Sequence, residues 1–125
     1  MSSEHLEQCA VIEWCELQRM VFPNIERIFA IPNGGLRNIK VARKLKAEGV
    51  RAGVPDLFLP VPCGGYRGLF IEMKYGKNKP TDSQKDWIDF LSRQGYCTAV
   101  CWGAGDAIET IQDYYGMDDR YDQTD

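Results

Sequence analysis

The stretch Leu69-Phe70-Ile71-Glu72-Met73-Lys74 constrains this chain more than any other. It is apolar enough to lie inside a sheet, yet it carries a carboxylate and an ammonium two residues apart. Side chains alternate across a strand, so Glu72 and Lys74 share one face while Ile71 and Met73 point into the opposite layer. Charges on such a strand are costly to bury unless something compensates them. The fold must therefore build a sheet around residues 68–74 and place a partner against Glu72.

The rest of the chain supplies that sheet. At 125 residues it is one domain's worth, with no repeat, low-complexity stretch or linker to divide it, so residues 1–125 read as a single domain with a core at about 4–115. Ser2 and Ser3 are positioned to cap a helix over about 3–21, where Leu6, Cys9/Ala10, Val11, Trp14/Cys15, Leu17 and Val21 recur at helical spacing, with Pro23 as its stop. Residues 28–31 read as a short strand running into the Pro32-Asn33-Gly34-Gly35 turn. A basic helix follows over about 37–48, with Ile39, Val41/Ala42 and Leu45 expected inward and Gly49 as its stop. Residues 56–60 form the next strand. Thr81 and Gln84 match a capping box that opens a helix ending at Gly95. Residues 96–102 form a last strand and 104–115 a last helix with Ala107, Ile108, Ile111 and Tyr115 inward, followed by an acidic tail over 116–125. The expected class is α/β, a small mixed central sheet flanked by helices.

Two adjacent strands thus deliver carboxylates: Asp56, after Gly53-Val54-Pro55, and Glu72. The chemistry that fits is a hard divalent cation, Mg²⁺ or Mn²⁺, which takes one or two carboxylates, waters and a substrate phosphate. The backbone carbonyl of Met73 adds a further oxygen. Such an ion polarises a phosphoryl oxygen and acidifies a bound water. Lys74 would offset the charge that grows on the phosphate. Taken singly the parts are ordinary: an E-x-K on a strand is commonly a surface ion pair worth under ~1 kcal/mol, and Pro-Asp is a common turn dipeptide. Their conjunction on consecutive strands, followed by a capped helix, is much less common.

Pro55-Asp56 with Glu72-Met73-Lys74 resembles the PD-(D/E)XK nuclease superfamily. The wider run resembles the VRR-NUC domain in its stand-alone phage and bacterial form. That likeness rests on Ile31-Pro32-Asn33-Gly34-Gly35, residues 47–57, Gly68 to Lys74 and Gln84, and it spans about residues 4–115. It implies a restriction-endonuclease-like core and a Mg²⁺- or Mn²⁺-dependent DNA endonuclease similar to Holliday junction resolvases. It also implies that an acid on the first helix completes the metal site. Glu4 fits best, one turn before Gln8, with Glu7, Glu13 and Glu16 as rivals. Gln84 matches the glutamine that follows the lysine, a catalytic candidate beside its capping role. Asn33 and Arg37 match positions near the substrate. Lys40, Arg43, Lys44 and Lys46 on the basic helix, and Lys77 and Lys79 in the loop after the lysine, are candidate phosphate contacts; a solvated surface is the ordinary role for each.

Charge distribution agrees with an anionic partner. The net charge is -3, but residues 19–85 carry thirteen Lys/Arg against five Asp/Glu, a local +8. No helix-turn-helix, zinc-finger or stacked-aromatic signature is present, so recognition would rest on phosphate geometry. Cutting a four-way junction symmetrically suits a C₂ homodimer, for which Trp102, Tyr114, Tyr115 and Tyr121 are the exposed candidates. A flap, restriction-type or RNA-directed nuclease would share the site, and a non-catalytic DNA-binding module would share the fold. The five cysteines form no C-x-x-C and His5 is the only histidine, which argues for packed free thiols rather than zinc. No apolar run approaches the ~18 residues of a membrane span and no signal peptide opens the chain, so a cytoplasmic location without membrane or organic cofactor is expected.

Overall fold

In a computed structural model that describes residues 3–33 and 38–118, Ser3 starts the first helix. Its side chain accepts the Leu6 N–H at 3.2 Å, and α1 runs Glu4–Leu17. The helix is shorter than the periodicity suggests, giving way to turns from Gln18, well before Pro23. Only Val11 and Cys15 of α1 are buried. Leu6, Cys9, Ala10, Leu17 and Val21 are exposed, because the apolar stripe extends past the part of the helix that meets the sheet. A 3-10 turn at Ile25–Arg27 leads into β1, Phe29–Ala30. The helix α2 then covers Ile39–Ala47, with Asn38 as its cap. β2 is Leu57–Leu59, β3 is Leu69–Lys74, α3 is Asp82–Arg93, β4 is Cys97–Trp102 and α4 is Ala104–Tyr115.

The strands lie in the order β1-β2-β3-β4. β1 and β2, and β2 and β3, pair antiparallel, while β3 and β4 run parallel with α3 as the crossover between them. This is the mixed sheet expected for an α/β chain. The alternation of β3 divides the molecule. Leu69, Ile71 and Met73 join Leu57, Leu59 and Cys101 in a core closed by Val11, Cys15, Ala107, Ile111, Tyr114 and Tyr115 from α1 and α4. Phe70, Glu72 and Lys74 face the other way, the side on which α3 packs through the Ser92 to Thr98 hydroxyl contact at 2.7 Å. On that side Phe70 stacks on its register partner Phe58 at 4.2 Å between ring centres.

Two expectations about faces are corrected. Ile39 is 68% exposed and Val41 is exposed too; only Ala42 and Leu45 of α2 reach even half burial. Four cations in nine residues leave too narrow an apolar stripe to seat α2 on the sheet. Tyr114, offered as an exposed interface candidate, is core, and Tyr115, read both as an interface candidate and as an inward residue of the last helix, is inward: both are 1% exposed. Their hydroxyls donate to the backbone carbonyls of Val61 and Pro23, which makes burial affordable for a phenol. Tyr121, Arg37 and the tail beyond residue 118 lie outside the described residues.

The cysteines are free thiols. Burial pushes the Cys15 thiol up to about 12 and the Cys101 thiol to about 11, so both pack as small apolar groups rather than act as nucleophiles. Among the described residues no helix is long and apolar enough to cross a membrane.

Candidate active site

Asp56 sits one residue before β2. Since Leu57 pairs with Ile71, the antiparallel register carries Asp56 to the position opposite Glu72. Its carboxylate is buried and doubly held. Oδ2 accepts the Met73 N–H at 2.7 Å, and Oδ1 accepts the Asn33 side-chain N–H at 2.9 Å. Two donors on one carboxylate fix its orientation. The sheet also explains the role of Met73. The carbonyls of Gly68 and Lys74 accept from Cys97 and Gly103, on the β4 side. Met73 is one step out of phase with them, so its N–H and its carbonyl both face Asp56.

Glu72 is 1% exposed. Its Oε2 lies 3.7 Å from Lys74 Nζ. Its Oε1 is buried and has no hydrogen-bond partner among the described residues. An oxygen in that state costs about 1–3 kcal/mol unless a ligand satisfies it. Burial, first of all, raises the Glu72 carboxyl from 4.5 to about 9; the neighbouring Asp56 carboxylate adds to this, Glu4 adds charge, and Lys74 opposes. Glu4, half-buried at the start of α1, is itself raised by burial and by Asp56. It therefore belongs to the electrostatic neighbourhood of the pair. No group of three His, Cys, Asp or Glu converges closely enough to cage a metal among the described residues.

The other first-helix acids do different things. Glu7 Oε1 accepts the Ala104 N–H at 3.0 Å and so caps α4 from α1. Gly103 has φ +87 and leaves the room this carboxylate needs, since a Cβ there would lie 3.0 Å from Glu7 Oε1. Glu13 and Glu16 are exposed. Gln84 is engaged in the capping box: its Oε1 accepts the Thr81 N–H at 2.8 Å, and Thr81 Oγ1 accepts the Gln84 N–H at 3.3 Å. The α3 N-terminus that this box builds abuts the turn at Gly53, three residues before Asp56. A Cβ on Gly53 (φ +92) would lie 2.7 Å from the Ser83 carbonyl oxygen.

The cations divide by place. Lys77 and Lys79 are exposed in the loop following β3, close in sequence to Lys74. That loop is pinned by Trp102, whose Nε1 donates to the Asn78 carbonyl at 2.7 Å. Lys40 and Arg43 are exposed on α2. Asn33 enters the site as a partner of Asp56, a contact 23 positions apart that no local pattern reveals. Trp102 as a clamp on the lysine loop was equally hidden, although its register opposite Lys74 could have drawn attention to it.

Two carboxylates, an inward carbonyl and an adjacent ammonium suit a Mg²⁺-sized ion, which needs only one or two carboxylates beside its waters. The unsatisfied Glu72 Oε1 is the observation that fits such an ion. No curated protein matches the chain. A solved structure described as a VRR_NUC domain protein matches with a TM-score of 0.79 at 34% identity, covering 95% of this chain and 93% of that one. The model of the VRR-NUC domain matches residues 2–105, which include both strands, Asp56, Glu72, Lys74 and Gln84. The chain belongs to the VRR-NUC family and has its nuclease-type fold.

Proposed function

We propose that this protein is a metal-dependent, structure-specific DNA endonuclease that hydrolyses phosphodiester bonds, with a four-way junction as its substrate. The single observation that carries the reading is the buried pair Asp56 and Glu72, one oxygen of which lacks a protein partner, with Lys74 Nζ 3.7 Å from the other oxygen of Glu72.

In this reading Asp56, Glu72 and the Met73 carbonyl would hold Mg²⁺ or Mn²⁺, and Glu4 at the start of α1, which does not close on the pair here, would complete the site through an intervening water. The ion supplies Lewis-acid stabilisation of the phosphoryl oxygens and an acidified water. The chain's own residues do the rest. Asn33 and the Met73 N–H keep the Asp56 lone pairs aimed at one point. Lys74 Nζ presents a proton donor to a non-bridging phosphate oxygen, where negative charge grows as water oxygen bonds to phosphorus and the bond to the leaving sugar oxygen breaks. Gln84 offers its amide N–H groups to the same phosphate while Oε1 stays on Thr81. Lys77 and Lys79, together with Lys40, Arg43 and Arg37, hold the flanking phosphates.

A C₂ homodimer would set two such sites at a fixed separation, as symmetric nicking of a junction requires. Among the described interface candidates, Trp102 is the exposed aromatic available to it. A dimer mass in analytical ultracentrifugation is the expected result; a monomer that still nicks a junction in pairs would remove the need for one.

The test incubates the protein with a mobile four-way junction, linear duplex, flap and RNA, each with Mg²⁺, Mn²⁺ or EDTA. Cleavage of the junction with either metal, absent in EDTA and in Lys74→Ala, is expected. Cleavage that survives both Lys74→Ala and Asp56→Asn would show that the chemistry lies elsewhere.

A further inference from the structure

A cavity of about 250 Å³ is lined by Asn33, the hydrogen-bond partner of Asp56, with Ala42, Leu45, Val50, Lys46 and Arg51 among others. Its walls come from the end of α2. The Val50 N–H reaches back to the Leu45 carbonyl at 2.9 Å, the Gly49 N–H reaches the Lys46 carbonyl at 3.1 Å, and Gly49 takes φ +103. This is the paired-bond helix stop in which apolar residues on either side of the glycine meet, here Leu45 and Val50. The result is a pocket with half-buried apolar walls and two exposed cations, Lys46 and Arg51. Asn33 lines it and also donates to Asp56 Oδ1, so a single side chain separates the pocket from the candidate catalytic carboxylate.

We infer that this pocket receives one unpaired nucleobase of the nucleotide next to the scissile phosphate, with Lys46 and Arg51 on its flanking phosphates. The inference rests on the nuclease reading above. Apolar walls suit the faces of a base, and cations suit the backbone outside. Among the described residues no carboxylate lines the pocket to repel that backbone. One amide is too little to read a base edge, so entry selects an unpaired base by shape and not by sequence. A base held in a duplex stack cannot enter, whereas one at a strand exchange point can. The pocket thereby supplies a reason for preferring a branch over linear duplex.

The experiment scans a single abasic site through the three positions on either side of the cut in a junction otherwise intact, using the wild-type chain. A loss of about tenfold in kcat/KM at one position, with the others near the intact substrate, is expected. With 2-aminopurine at that position, fluorescence should rise on binding in EDTA as the base leaves its stack. Ala42→Phe, which fills the cavity, should lower cleavage of the intact junction by a similar factor, and adding the abasic site should lower it no further. Cleavage that is indifferent to abasic position overturns the pocket while leaving the nuclease standing, as does a loss from Ala42→Phe that multiplies with the abasic loss. Failure to bind or cut any junction overturns both.

Discussion

β3 and α2 carry charge under opposite physical regimes. Every residue of β3 is buried, including Glu72 and Lys74, whereas no residue of α2 is, although it holds four of the chain's cations. Interior charges are expensive, so each on β3 is held by a specific neighbour at a fixed distance. Surface charges on α2 are cheap, solvated and free to follow a substrate. On the nuclease reading proposed above, the difference teaches where chemistry and grip would reside. Bond breaking needs groups fixed to within a fraction of an ångström, which only the sheet provides. Holding a long anionic backbone needs reach, which a solvated helix provides at little cost to stability.

The largest expected effect breaks the buried side. Asp56→Asn and Lys74→Ala should each lower junction cleavage by at least about a hundredfold, with circular dichroism and junction binding retained. A modest loss of a few-fold would place β3 in the same regime as α2.

Next comes pH. Glu72 is raised from 4.5 to about 9, chiefly by burial. Between those values the folded, metal-free protein keeps a proton that the unfolded chain has released, so the group's contribution to stability is present at low pH and falls as pH rises through that window. The metal-free melting temperature should therefore drop from pH 5 to pH 8. Glu72→Gln should flatten that slope and raise Tm at pH 8 by at least about 4 °C. Added Mn²⁺ should stabilise the wild type more at pH 8 than at pH 5, since it competes with the proton. A slope unchanged by Glu72→Gln would mean that the buried carboxyl is not the source.

Asn33 bridges the two regimes, being half-buried and bonded to Asp56. Asn33→Ala should lose about one hydrogen bond to a charged group, roughly 1.5–3 kcal/mol, read as about a tenfold or greater fall in kcat with a smaller change in junction binding. Asn33→Asp should be worse, because it sets a like charge against Asp56.

The smallest effect on the fold belongs to α2. Lys40→Ala with Arg43→Ala should leave Tm within the range of ordinary surface substitutions, about 0.5 kcal/mol. Junction binding should weaken, with the salt dependence of log Kd shallower by close to one unit for each phosphate contact removed. Unchanged salt dependence would show that α2 does not touch the backbone.

Much of the buried side was legible in the sequence because strand alternation is local. Leu69 to Lys74 announces its two faces, and the Pro55-Asp56 turn announces the neighbour. Thr81 with Gln84, Ser3 and Gly49 announce helix ends through backbone hydrogen bonds made within a few residues. What was hidden depends on partners far along the chain. The Asn33 bond to Asp56, the Glu7 cap on Ala104 and the Trp102 clamp on Asn78 join segments that no period connects. α2 shows the converse failure. Its period is helical, but period reports a face and not what covers it, and the structure leaves Ile39 and Val41 in solvent. Tyr114 was open to either reading because a phenol is compatible with surface or core until a carbonyl is found for its hydroxyl, as Val61 supplies here.

The most direct test of the central claim is the binding of Mn²⁺ followed by electron paramagnetic resonance at pH 7.5, without DNA, for the wild type, Asp56→Asn and Glu72→Gln. The carboxylate pair predicts that the wild type depletes the free-ion signal and that each substitution restores most of it. Equal depletion by all three would contradict the assignment of Asp56 and Glu72 as the metal-holding pair.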